Sequence, residues 1–469
     1  MKWRLDAEDG VLVMRTKNIN MLNGPLFSGI IAYTVPIILT SVLQLLFNAA
    51  DLVVVGRYCG SISVAAVGAT GSLTNLLVNF FIGISIGAGV TVAHAIGRRD
   101  NAAVHRAVHT AMPVSVACGL IITVIGVVFS EPLLRLMGTP ENVLKLSAVY
   151  MRICFAGAVF QLVLNFYAAI LRAAGDTKTP LVALAIAGVV NVLLNVVFVT
   201  QLHMNVAGVA LATIISHAIS AVLVVLAVMR RKDACKFQFG KIKFYKTPFV
   251  KMLRIGLPAG IQSSLFSISN VLIQSSINSF GDVFMSGNAA ASNIEGFIYV
   301  AMNAFHQTAV NYTGQNAGAM QYKRVLKTFG ICLISSAVVG FVLGQVVYAF
   351  GPQLLSVYIT DSQLAIEYGM IRFAYVGVPY FLCGLMDVAT GTLRGIGASA
   401  VPMVISILGV CGFRVLWIFT IFQIPQYHTP QCLYFSYAVS WTLTFVAEVI
   451  AFIWLYRKRM RVDKPAVAG

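Results

Sequence analysis

Carboxylates are scarce in this chain: Asp and Glu number 16 among 469 residues, and charged residues of both signs make up only 10%. Soluble domains carry about 25% charged residues, so a water-dissolved globular domain is excluded. Paired cysteine motifs are missing too. The 8 cysteines contain no CxxC, and most stand in apolar segments, where they act as small packing residues. No GxxxxGK[ST] phosphate loop occurs, which leaves ATP without a binding device. No nucleophile–base set falls within the apolar segments, so an embedded enzyme is not expected. His105 and His109 have i, i+4 spacing, but they open a helix beside Arg106, and no metal is expected there. The first twenty residues are polar and mixed in charge, so no cleavable signal is expected.

What the chain has is long apolar runs. Hydrophobic residues make up 58%, and twelve runs lie between Leu26 and Tyr456. At roughly 20 to 28 residues each, they are long enough to cross a bilayer as helices. Backbone polar groups in lipid must be satisfied within the segment, which makes helices the expected form. Short alternating segments, the mark of a membrane barrel, do not appear.

Net charge is +17, and its placement carries the information. With the N-terminus inside and twelve spans alternating, 27 of the 33 basic residues fall on internal stretches. External loops keep Arg57, Arg135 and Lys145. This positive-inside bias puts both termini in the cytoplasm of a bacterial inner membrane protein. It also removes nucleic acid as a partner, because no basic module stands apart from the spans.

The sequence is written twice. LRAAGDTKTP at Leu171–Pro180 and LRGIGASAVP at Leu393–Pro402 stand 222 positions apart. At the same offset Pro36 meets Pro258, Ser41 meets Ser263, and Asn48 meets Asn270. Between these points IGRRD at 96–100 aligns with TGQNAG at 313–318, at an offset of 217. The expected fold is an all-α polytopic membrane protein of twelve transmembrane helices in two parallel-repeat six-helix lobes around a central cavity. The expected boundaries are a tail over 1–20, an N-lobe over 21–232, a basic linker over 233–247, a C-lobe over 248–457 and a tail over 458–469. In the LR-x-x-G motif Gly stops one helix, Pro restarts the next, and Arg is expected to anchor at the cytoplasmic face.

An ionisable group within a span is expensive in lipid and is a functional candidate by default. Asp51 stands six residues before Arg57, about 9 Å inside the outer end of the first helix. Asn191 and Asn195 share one face of the fifth helix, with Asn195 about 12 Å below His203. Thr213 reaches about the same depth in the sixth. A carboxylate with amide and hydroxyl oxygens suits a hard cation such as Na⁺, and the same carboxylate can carry a proton. Glu295 falls near the middle of the eighth helix, placed to attract a cation or pair with Arg372 or Arg414. Asp387, about 10 Å from the cytoplasmic end, is a gate or coupling candidate. Tyr299 and Met302 follow Glu295 at i+4 and i+7 and are candidate substrate contacts.

Pro36, Asp51 and Gly56-Arg57 in the first helix, IEGF at 294–297, TGQNAG at 313–318 and the paired LR-x-x-G together resemble the multidrug and toxic compound extrusion (MATE) transporters. The resemblance covers about residues 20 to 460. It implies a V-shaped pair of six-helix lobes and export of drug-like, often cationic organic compounds in exchange for Na⁺ or H⁺, with no cofactor. It further implies that positions matching Asp51, Asn191, Asn195 and Thr213 form the cation or proton site. Some members carry a second Asp where this chain has Asn195, which leaves Na⁺ and H⁺ both open. A monomer in the lipid bilayer is expected. The alternative is a lipid-linked saccharide flippase of the same superfamily, which would need more helices and a markedly cationic cavity.

Overall fold

The computed structural model describes residues 3–5, 12–14, 18–360 and 362–462. Two short strands, β1 (Trp3–Leu5) and β2 (Leu12–Met14), pair antiparallel where a plain tail was expected. The rest of the described chain is helical, and its spans are numbered here in order. The first three are α1 (Leu26–Tyr58), α2 (Ser61–Gly97) and α3 (Asn101–Leu136). α4 is broken, with Glu141–Ala156 and Ala158–Ala173 bent by 47°. α5 (Lys178–Gln201) and α6 (Asn205–Met229) complete the first half. The second half runs α7 (Lys246–Asn278), α8 (Asp282–Gly318), α9 (Tyr322–Ala349), α10 (Gln363–Gly395), α11 (Ala400–Gln423) and α12 (Pro430–Val462).

Nine of these spans, and α4 as a tenth, are long and apolar enough to cross a membrane. α7 and α8 match them in length but are more polar, and burial explains this. α8 turns Asn288, Glu295, His306, Asn311, Gln315 and Asn316 into the protein rather than toward lipid. α12 runs on through Arg457 to Val462, past the boundary expected at 457. Residues 463–469, and the tail positions before residue 18 other than the two strands, lie outside the described residues.

The repeat is visible in the backbone, and it corrects the expected register. α1 and α7 both have 33 residues, and α2 and α8 both have 37. Arg99 and Met320, each at φ 57°, follow the ends of α2 and α8. These marks put IGRRD against AGAMQ at an offset of 221, so the slip to 217 does not occur. The Gly-Arg and Gly-Gln dipeptides lie at a different offset from the helix ends, and the helix ends fix the register. Gly175 and Gly397 close the LR-x-x-G motifs at φ 86° and 85°, a left-handed turn that favours glycine.

The halves meet along three helix pairs. α2 lies against α7, where a Cβ on Gly83 would collide with Gly260, and one on Gly87 with the Met252 carbonyl. Small residues let backbones approach in lipid, where packing rather than hydrophobic burial holds helices together. α1 meets α8 through Tyr33 edge-on to Tyr312 at 5.5 Å and Thr34 bonded to Thr308 at 2.8 Å. α2 and α8 cross at their last turns, where Gly97 faces the Gln315 carbonyl and Gly318 the His94 carbonyl. Two matched bonds flank this crossing. His94 Nε2 lies 2.6 Å from the Gly395 carbonyl, and Gln315 Nε2 donates to the Ala173 carbonyl at 2.6 Å. His94 and Gln315 are repeat mates, as are Ala173 and Gly395. This joined end of the molecule carries Arg98, Arg99, Arg230, Lys323 and Arg324.

Candidate functional site

Three helices of the first lobe bring polar side chains together near the opposite end. α1 supplies Asp51, α5 supplies Asn191 and Asn195 one turn apart, and α6 supplies Thr213. Asn195 Nδ2 donates to Asp51 Oδ1 at 2.5 Å and to Asn191 Oδ1 at 3.3 Å. The Thr213 hydroxyl lies 3.4 Å from Asp51 Oδ2 and 2.9 Å from the Val209 carbonyl. α1 and α5 approach closely here because Gly188 lies under the Phe47 ring, where any Cβ would collide. A π-helical segment, Val197–Gln201, begins two residues after Asn195. Such segments loosen the helical ladder and recur at functional sites.

Asn195 is fully buried and Asn191 nearly so, while Asp51 keeps partial exposure. Asn195 Oδ1 is buried without a partner. Among the described residues no Lys, Arg or His pairs with Asp51. A lone carboxylate at membrane depth calls for a counter-charge. The oxygens of Asp51, the unpartnered amide oxygen of Asn195 and the Thr213 hydroxyl offer a hard-cation shell, and the carboxylate alone accepts a proton.

The second lobe is arranged differently. Glu295 of α8 is buried against Arg372 of α10, with Oε2 accepting from Nε at 3.0 Å and from Nη2 at 2.8 Å. Arg372 also donates to Asn288 Oδ1 at 2.6 Å, and the Tyr434 hydroxyl bonds the same oxygen at 2.9 Å. Of the two roles read from sequence, the geometry is that of the ion pair. A second network surrounds Arg394, which donates to Gln262 Oε1 at 2.7 Å and lies 3.3 Å from His306 Nε2. Nε2 must accept from the guanidinium, so Nδ1 carries the hydrogen donated to the Asp387 carbonyl at 2.7 Å. Asp387 is partly exposed as a residue, while its Oδ2 is buried without a partner.

The sequence profile of the MatE family matches residues 36–197 and 258–420, one copy in each half. The chain belongs to the MatE family. It is 30% identical over 393 residues to the probable multidrug resistance protein YoeA of Bacillus subtilis, covering 82% of this chain and 84% of the relative. It is 26% identical over 392 residues to the probable multidrug resistance protein YpnP of the same organism, covering 84% and 87%. A solved structure described as the outward-facing conformation of a multidrug resistance MATE family transporter superposes with a TM-score of 0.86 at 20% identity, covering 96% of this chain and 100% of that one. The protein is therefore a multidrug efflux transporter of the twelve-helix MATE fold, embedded in the membrane, and not an enzyme.

Several sequence expectations change in the transporter. Met302 does not line a cavity. It is fully buried, packed against Gly340 and Gly384, with its sulfur 3.4 Å from the Ser336 hydroxyl. The i+7 position from Glu295 lies on the face of α8 that packs on α9 and α10. Tyr299, at i+4, stays 42% exposed. The paired arginines are not surface anchors. Arg394 is buried, and Arg172 turns across the lobe seam to Gln307 Oε1 at 2.7 Å. His109 has both ring nitrogens occupied, by the His105 carbonyl at 2.8 Å and the Gln238 amide at 3.1 Å. Sequence reading passed over Glu448, a fully buried carboxylate in α12. The signal was there, a single Glu inside the apolar run FVAEVIAF.

Proposed function

We propose that this MATE transporter exports organic, drug-like and often cationic compounds by exchanging them for Na⁺ or H⁺ bound at Asp51. The observation that carries the reading is the meeting of Asp51, Asn191, Asn195 and Thr213 from three helices, with no basic partner among the described residues and one buried amide oxygen left free. The basic, joined end is the cytoplasmic side on the positive-inside argument, with both termini there. On that assignment the cation enters from outside, and the described conformation is closed toward the cytoplasm.

α1 gives the site a route to the lobe seam. Its inner half carries Tyr33 and Thr34, which touch α8, and its outer half carries Asp51. Pro36 stands between them inside the helix. Proline removes one backbone bond and permits a bend at that point. Cation binding draws Asp51 toward α5 and α6, bending α1 and altering its contact with α8. Substrate binding favours the opposite arrangement, so the two ligands exclude each other and exchange results.

The flippase reading lacks support. The interior guanidinium groups are each engaged by the protein, Arg172 with Gln307, Arg372 with Glu295, Arg394 with Gln262 and Arg414 with Ser440, so they form no open cationic cluster for a phosphate. The deciding experiment is efflux of a cationic dye from proteoliposomes with Na⁺ and pH gradients imposed separately. Asp51→Asn should abolish gradient-driven efflux while the protein stays folded. Wild-type coupling in that variant removes the mechanism.

A further inference from the structure

The carboxylate that this coupling scheme leaves unused is Glu448. It has no accessible surface, and among the described residues it forms no ion pair. Thr390 of α10 and Ser406 of α11 both donate to one of its oxygens, Oε1, at 2.7 and 2.9 Å. The other oxygen, Oε2, is buried without a partner, as is the hydroxyl of Thr444 one turn earlier on α12. Two donors on one oxygen and none on the other is the pattern of a neutral acid, with Oε1 as the carbonyl and Oε2 as the hydroxyl. A charged carboxylate sealed in this way would be costly.

Asp387 is the neighbouring carboxylate: it stands one turn before Thr390 on α10, and the residue is partly exposed although its Oδ2 is buried without a partner. Asp387 and Arg394 are the charged groups in electrostatic reach of Glu448. Arg372 and Arg414 also face α12, but lie against Tyr434 and Tyr437, more than two turns away along the helix. The layout also mirrors the first lobe. Asn195 of α5 serves Asp51 just before a π-helical segment; Ser406 of α11, the repeat mate of α5, serves Glu448 just before another, Ile407–Gly412.

We propose that Glu448 is a second proton-binding site, held by the C-lobe and separate from Asp51. Its Oε2–H bond breaks as a water entering between Glu448 and Asp387 accepts the proton and hands it on to solvent by way of the Asp387 carboxylate, and Arg394 faces the charge left on Glu448. The return step reverses these transfers. The inference rests on the transporter reading above, and its ligand is H⁺ rather than Na⁺.

The test counts protons. Purified transporter in weakly buffered detergent, stepped between acid and alkaline pH with an indicator dye, should release one proton fewer in Glu448→Gln than in wild type. The amide keeps an oxygen acceptor for Thr390 and Ser406, so the fold is retained. An infrared difference spectrum should show a carboxylic acid C=O band that titrates in wild type and is absent from the variant. Thr390→Val should move the midpoint of that release by about one pH unit. In proteoliposomes, Glu448→Gln should flatten the pH dependence of dye efflux and keep its response to Na⁺. An unchanged proton count, or a band that never titrates, overturns the proposal and makes Glu448 a permanently neutral cross-link. Asp51→Asn distinguishes the two readings: it should leave the Glu448 proton in place, whereas undisturbed efflux in it would sink the coupling site alone.

Discussion

At the scale of single residues, Asp51 and Glu295 have opposite surroundings. Asp51 has amide and hydroxyl neighbours and, among the described residues, no basic partner, whereas Glu295 is locked to Arg372 through one oxygen. Glu295→Gln should therefore act mainly on stability. Leaving Arg372 buried without its partner costs about 3–5 kcal/mol, readable as a lower melting temperature in detergent. Ion-coupled efflux by the surviving folded fraction should persist; selective loss of coupling at full stability would return Glu295 to the coupling machinery. Asn195→Asp should add a second titratable group beside Asp51 and make dye efflux more steeply pH-dependent, checked across a pH series. The depth of Asp51 was legible from its distance to Arg57, because a helix rises uniformly. The partner of Glu295 was not, because pairing depends on how α8 is rotated against α10. Glu448 showed as a single letter in FVAEVIAF, but its partners did not, and one acid barely alters the hydropathy of a long apolar run.

At the scale of elements, helix approach is set by glycines. Gly188 admits the Phe47 ring between α1 and α5, one turn from Asp51. Gly188→Ala should push α1 outward, at a cost of about 1–3 kcal/mol typical of overpacking, and weaken ion binding. The check is the Na⁺ or pH midpoint of efflux, which should shift although no ligating atom has changed. Helix number and the two-half plan were legible, since apolar runs and repeated prolines report them directly. The register between the halves was less so. Ile96–Asp100 and Thr313–Gly318 share a glycine followed by polar residues, and the shared letters sit at the wrong offset. Only the ends of α2 and α8, with Arg99 and Met320 both left-handed, supply the true one.

At the scale of the whole molecule, the joined end is closed by bonds that repeat symmetry duplicates. His94 reaches Gly395 and Gln315 reaches Ala173, each across the seam. At about 1 kcal/mol per bond, removing both in His94→Ala with Gln315→Ala should shift the balance toward the open arrangement roughly thirtyfold. Spin labels at the exposed repeat mates Ala102 and Lys323 would report it as a longer distance. An unchanged distance distribution would remove the latch. The segment joining the lobes is unevenly attached. Phe237 is buried beside His109 and Tyr167, the Gln238 amide bonds His109, and the Tyr245 amide bonds Thr110. Burial pushes the Cys235 thiol up to about 12, leaving it inert. All these partners belong to the first lobe. During synthesis that lobe can finish its packing, connecting strap included, before α7 leaves the ribosome, and the second body then assembles against a completed template.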